Sequence, residues 1–220
     1  MPNRLSLRCV ASSARAFRLP CGPLLVVFFV VATFPSALIA QETVVRLDPA
    51  NSTINFTLGA TLHTVHGTFK LKSGEIRVNT STGKASGAIV VDATSGESGD
   101  SSRDHKMHSD IIESAKYPEI VFSPTQLNAQ PGHTLKESLE QKGTTHVRAD
   151  GIFRLHGQDH DVTLDLDVQN DGNDRVEISS GFPIPYIKWG LKSPNTFILH
   201  VSDTVQLEIR ATGQIIPAVQ

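Results

Sequence analysis

From Val44 onward the chain is built mostly on alternation of apolar and polar positions. Ile54, Phe56 and Leu58 point one way and Thr53, Asn55 and Thr57 the other, which is the mark of a strand with one wet face. Val65, Gly67, Phe69 and Leu71 repeat the pattern against His66, Thr68, Lys70 and Lys72. A turn is predicted at Ser73-Gly74, a short strand over 75–78 and a second turn over 79–84. A strand over 85–92 follows, its Ile89-Val90-Val91 run leaving the inward parity open, and then a small, polar loop over 93–100. Strand character resumes over 119–124, while 128–143, with Gln130-Pro131-Gly132, has no period and is expected to be a flexible hairpin loop. Val147, Ala149, Gly151, Phe153 and Leu155 alternate next; after a turn at 156–159, Val162, Leu164, Leu166 and Val168 run back. A turn at 170–174, a strand over 175–181, an irregular crossover over 182–195 holding Trp189, an extended 196–201 and a last strand through Val205, Leu207, Ile209 and Ala211 complete the chain.

One stretch departs from this rule. Across 101–122 the apolar positions recur every three to four residues, placing Met107, His108, Ile111, Ile112 and Ala115 on one stripe and Arg103, Lys106, Asp110 and Glu113 opposite. The pattern predicts a helix with one buried face. Ser101 and Asp104 have capping-box spacing, Lys116 falls in the last turn, and Pro118 stops the element because proline lacks an N–H and biases the residue before it toward extended backbone. Many short amphipathic strands with a single helix predict an all-β antiparallel sandwich or barrel.

The first forty residues are of another kind. Arg4, Arg8, Arg15 and Arg18 are their only charges, an apolar run spans 24–34, and Pro35 to Ala40 precede the first acid, Glu42. A run that short falls below the roughly 20 residues of a membrane span. The expectation is a signal peptide over 1–40, cleaved after Ala40, delivering a domain of 41–220 to the periplasm or outside the cell; Leu38 is a poor residue for that cleavage, and an uncleaved membrane anchor is the alternative. Cys9 and Cys21 both lie in this segment, so the mature chain has no disulfide and no thiol chemistry. Removing four arginines from 20 basic residues leaves 16 against 22 acidic ones, a charge of −6 that disfavours nucleic acid as a partner.

Candidate chemistry is sparse. His63 and His66 sit at odd spacing on an extended segment, which sends them to opposite faces; His105 and His108 share a helical face, and His156 and His160 flank a turn. None of these pairs supplies the three or four ligands of a metal site, so no metal and no cofactor is expected. Arg103 beside Asp104 is the most enzyme-like pair, but at a helix start the carboxylate satisfies free N–H groups and the guanidinium bridges to a loop. No nucleophile elbow, zinc-protease, phosphate-loop or dinucleotide motif is present, and no reaction is expected. In a barrel the inward residues are core and cavity wall at once. Phe56, Leu58, Phe69, Leu71, Phe122, Phe153, Leu155, Leu164, Leu166 and Phe197, with Met107, Ile111 and Ile112 from the helix, are therefore the candidate ligand-binding residues. Trp189 is either a rim residue that meets an amphipathic ligand or a membrane surface, or a half-buried packing aromatic.

Several segments, in order, resemble the YceI-like polyisoprenoid-binding proteins. They are Leu47-Asp48-Pro49 with Asn51-Ser52 and Phe56, Val65-His66-Gly67-Thr68-Phe69, Ser73-Gly74 and Arg103-Asp104-His105. Tyr117-Pro118-Glu119-Ile120-Val121-Phe122 follows, then the run from Ala149 through Asp150-Gly151 to His156-Gly157, Val162-Thr163-Leu164 and Asp203-Thr204-Val205-Gln206-Leu207. The resemblance implies a lipocalin-like antiparallel β-barrel with one short α-helix. It also implies a non-enzymatic carrier whose partner is a long-chain isoprenoid lipid or quinone, with transient membrane contact. Met107-His108, Ile111-Ile112 and the segment 182–190 depart from the family's usual residues, the last two at positions expected to shape the cavity mouth. A side-chain-filled barrel, serving as a stress-related or interaction module without ligand, is the alternative.

Overall fold

The computed structural model describes residues 42–61, 63–195 and 200–217. The expected signal peptide, Leu62 and residues 196–199, Phe197 among them, lie outside the described residues.

Two short strands do the work of one. β1 (Glu42–Leu47) and β2 (Thr53–Gly59) are separated by a tight turn in which Asp48 accepts hydrogen bonds from Ala50 N at 2.9 Å and from Asn51 Nδ2 at 2.7 Å. Both strands lie between the same two neighbours, β3 (Thr64–Asn79) and β9 (Val205–Pro217). β2 takes the Thr64 to Phe69 part of β3 and the Gln206 to Arg210 part of β9; β1 takes Glu75 to Asn79 and Gly213 to Pro217. Around the ring follow β8 (Arg175–Ile184), β7 (Gln158–Asn170), β6 (Gly143–Leu155), β5 (Glu119–Ala129) and β4 (Ala85–Glu97), which returns to β3. Among the described residues nine antiparallel strands thus occupy eight positions of a closed barrel, a size that either fills itself with side chains or holds one ligand.

Three loops of the sequence expectation are regular structure. Ser73-Gly74 is no turn: β3 is continuous for 16 residues, with a bulge between Leu71 and Ser73 that lets one strand serve two partners. β4 continues past Asp92 to Glu97, with Ala93 fully buried and Ile89 and Val91 on the inward face. Within the expected flexible loop over 128–143, α2 (Leu135–Glu140) forms on a capping box between Thr134 and Glu137 and buries Leu135 and Leu139 against the barrel end. Asn170 Nδ2 donates to the Leu139 carbonyl at 2.8 Å and Thr145 Oγ1 to the Ser138 carbonyl at 2.6 Å, pinning that plug.

The central helix is shorter than its periodicity predicts. α1 (Ser101–Lys106) passes into a π-turn (Met107–Ile111), and Glu113, at φ 50°, ends it before Lys116 and Pro118 are reached. The cap is Asp100, which accepts from Arg103 N at 2.9 Å. Asp104 turns away from the helix start to accept from the backbone N–H and hydroxyl of Ser98, so the capping box expected from Ser101 does not form. Ala115 is exposed, off the expected stripe, because the chain has left helical geometry.

Strand pairing divides the barrel into unlike halves. β7 and β8 pair only from Asp167 to Asn170, at the α2 end of both strands, so toward the other end they diverge, while β4 and β5 pair at that other end, Ile89 to Asp92 against Glu119 to Phe122. Toward the α2 end Val78, Val147, Val168 and Val176 are at most 2% exposed and fill the interior. At the opposite end the diverging strands leave space, roofed by the connector 98–118 and the crossover 185–195.

Candidate functional site: an apolar cavity under a helical lid

That space is a cavity of about 580 Å³, inside the roughly 300–1,000 Å³ range of small-molecule sites. Phe56, Leu58, Phe69 and Leu71 reach it from β2 and β3, and Phe122, Phe153 and Leu155 from β5 and β6. Leu164 and Leu166 reach it from β7, and Met107, Ile111 and Ile112 from the lid. Of the candidate residues only Phe197 has no described position. Gly67 belongs to the same inward face for a steric reason: a Cβ there would fall 2.2 Å from Phe56 Cζ, so the ring lies over the bare backbone. Phe56 and Phe69 then meet at 5.5 Å between centroids.

Sequence reasoning left parts of the wall out. Ile178, Phe182 and Ile184 line it, although Phe182 to Ile184 were assigned to the crossover and are in fact the end of β8. Tyr186 and Leu191 close it from the crossover; the only available signal was that they are apolar residues in a segment otherwise rich in turn formers. Tyr186 donates its hydroxyl proton to the Ser202 carbonyl at 2.8 Å, and burial pushes that hydroxyl up to about 12, so it stays a neutral donor. Trp189 is a packing residue, stacked on His160 at 4.1 Å and 5.7 Å from Phe153. Its stack covers the region where β7 has lost its β8 partner.

Charged side chains reach the cavity from one edge, at α1: Asp100, Arg103 and Lys106. Arg103 and Asp104 do not form a catalytic pair. The guanidinium donates to Ser98 Oγ at 2.7 Å and to the Ser98 carbonyl at 2.8 Å, and the Asp104 carboxylate takes the other side of the same serine. Both therefore brace the lid. His108 is likewise occupied, its Nε2 donating to the Gly96 carbonyl at 2.7 Å and its Nδ1 meeting the Ser114 hydroxyl at 2.9 Å, and is not brought together with His105 on an ion. His156 bonds Glu113 while His160 stacks on Trp189, so they do not form a pair either. Among the described residues no cluster of three metal-ligating side chains occurs.

The YceI-like domain model matches residues 45–213. The chain belongs to the YceI-like family. Its fold is similar to that of BcnA from Burkholderia cenocepacia, with 16% identity, a TM-score of 0.59, and coverage of 76% of this chain and 98% of BcnA. It is also similar to a polyisoprenoid-binding domain from Saccharophagus degradans, with 18% identity, a TM-score of 0.58, and coverage of 78% and 98%. A Campylobacter jejuni YceI protein matches with 17% identity, a TM-score of 0.51, and coverage of 73% and 88%. No curated protein matches the sequence. At these identities the structural neighbours share the barrel. In this YceI-like chain the wall includes Ile111 and Ile112 under the lid and Tyr186 and Leu191 under the crossover.

Proposed function

We propose that this YceI-like protein is a non-enzymatic carrier, exported by its N-terminal segment to the periplasm or beyond, that encloses the chain of a long apolar lipid in the upper half of its barrel. A polyisoprenoid or an isoprenoid quinone is the class of ligand. The observation that carries this is the apolar cavity of about 580 Å³ under the lid. A void of that size with no ligand would forfeit packing contacts along its whole wall, whereas each CH₂ group moved into it from water contributes about 0.8 kcal/mol. A chain of many such groups binds without any polar contact, and selection is then by length and shape. The polar edge at Asp100, Arg103 and Lys106 is where the headgroup would rest. The name of the Saccharophagus degradans neighbour, a polyisoprenoid-binding domain, supports the same ligand class.

A barrel filled throughout by side chains, acting as an interaction module, fits only the half plugged by Val78, Val147, Val168 and Val176. Purification from a membrane-containing host, followed by lipid extraction and mass spectrometry, tests the proposal. A stoichiometric isoprenoid species is expected; repeated recovery of an empty protein overturns it.

A further inference from the structure

Among the described residues, three other than glycine have positive φ: Glu113 at 50°, His156 at 53° and Asp174 at 60°. Left-handed backbone is unfavourable for side chains with a Cβ and persists where the surroundings over-determine it. Two of these three touch each other. Glu113 ends the lid and His156 opens the two-residue turn between β6 and β7, and the Glu113 carboxylate accepts from His156 Nε2 at 2.5 Å across 43 residues of sequence.

The surroundings are built around this contact. Tyr117, the residue before the lid's closing proline, meets the His156 imidazole at 4.4 Å between centroids, tilted by 52°. Gly157 leaves room for that ring: a Cβ there would fall 2.6 Å from Tyr117 Cε1. Lys116 Nζ sits over the same Tyr117 ring at 4.9 Å. The His156 side chain is only 16% exposed. Directly before Glu113, Ile111 and Ile112 face into the cavity, so the strained pair fastens the apolar underside of the lid to the barrel rim. Internally the lid is already braced through Ser98 and His108. Its Glu113 end, by contrast, is held to the β6–β7 turn by this pair and the tilted Tyr117 ring.

We infer that Glu113 and His156 form a clasp that holds the lid closed, and that opening this clasp is the step that admits and releases the ligand. The inference rests on the cavity being a lipid site. Unfastening lets both residues leave left-handed backbone, so strain released on opening offsets part of the lost hydrogen bond. The lid is thereby poised to open as a unit while the barrel below stays folded.

The test uses two variants approached from opposite sides. Asn tolerates left-handed backbone, and Asn-Gly suits a two-residue hairpin, so His156→Asn keeps the turn and removes the clasp. Glu113→Gly accepts the same φ without a carboxylate. Hydrogen exchange of the free protein is read first. Amides of 107–117 are expected to exchange about tenfold faster in either variant, no faster still in the double variant, with β6 and β7 unchanged; tenfold corresponds to about 1.4 kcal/mol, the order of one net hydrogen bond. Unchanged exchange in the lid, or additive effects of the two changes, overturns the clasp.

The second reading is stopped-flow quenching of Trp189, the sole tryptophan of the chain, by all-trans-retinol. Uptake and release are both expected to accelerate by a similar factor, leaving the affinity nearly as it was. A change in affinity at unaltered rates overturns the gating role. Failure of the unmodified protein to take up retinol counts against the lipid site, while the exchange measurement still decides the clasp.

Discussion

Replacing Leu166 by Trp separates a hollow barrel from a filled one within two residues of sequence. Leu166 faces the cavity and is half-buried, opposite Val147 on β6, whereas Val168, on the same inward face, is 2% exposed in the plugged half. An indole at 166 extends into about 580 Å³ of space. It meets no wall that must move, and the apolar area it covers offsets the loss of its freedom, so stability should change by less than about 1 kcal/mol. Val168→Phe has nowhere to go, and overpacking costs typically ~1–3 kcal/mol. For a domain of this size each kcal/mol corresponds to roughly 2–4 °C in Tm. The Phe variant should therefore melt roughly 2–12 °C lower and the Trp variant within a few degrees of the parent. Thermal denaturation followed by circular dichroism gives the first comparison. Lipid recovered by extraction gives the second, in which Leu166→Trp should retain less than the parent and Val168→Phe a normal amount per folded molecule. Equal losses of Tm at both positions would mean that the upper half is as tightly packed as the lower, and the functional proposal would fall with it.

Ile112→Asp places an unpaired carboxylate on the buried underside of the lid and should cost several kcal/mol, of the order of burying an uncompensated charge, together with the bound lipid; urea unfolding and lipid extraction check both, and a silent variant would show that the lid does not pack down. Gly67→Ala drives a methyl group into the Phe56 ring and the Glu97 carbonyl and should lower stability by ~1–3 kcal/mol, read as the urea midpoint; an unchanged midpoint would show that neither contact is as close as described. The hydrogen bond from His156, aided by the charges of His156, Lys192 and Lys116, holds the Glu113 carboxyl below the usual carboxylate range. A depressed folded value means that its stabilisation is present above the unfolded carboxylate value and is lost as pH falls through the folded one. The stability gap between the parent and Glu113→Gln should accordingly narrow as pH falls below the ordinary carboxylate value of about 4.3; a gap that stays flat or widens on acidification would contradict the assignment.

Alternation was sufficient to locate most strands, because a strand with one wet face must show period two wherever it is solvated, as Ile54, Phe56 and Leu58 do. The same parity named nine strand residues that now line the cavity, since inwardness is a local property of register, and the helical period named Met107, Ile111 and Ile112. Capping and breaking signals were less informative. The Thr134–Glu137 capping box was present in the sequence, but a six-residue helix has too few turns to show a period, and only packing of Leu135 and Leu139 against the barrel makes it stable. Periodicity over 101–122 overran the true helix because Glu113 departs from helical backbone for the sake of His156, a residue 43 positions away. Whether an inward residue is core or wall depends on how far apart opposing strands stand. That distance follows from where the β7–β8 ladder stops, which is fixed by closure of the whole barrel, so Val168 and Leu166 look alike in sequence while one is packed solid and the other borders a cavity.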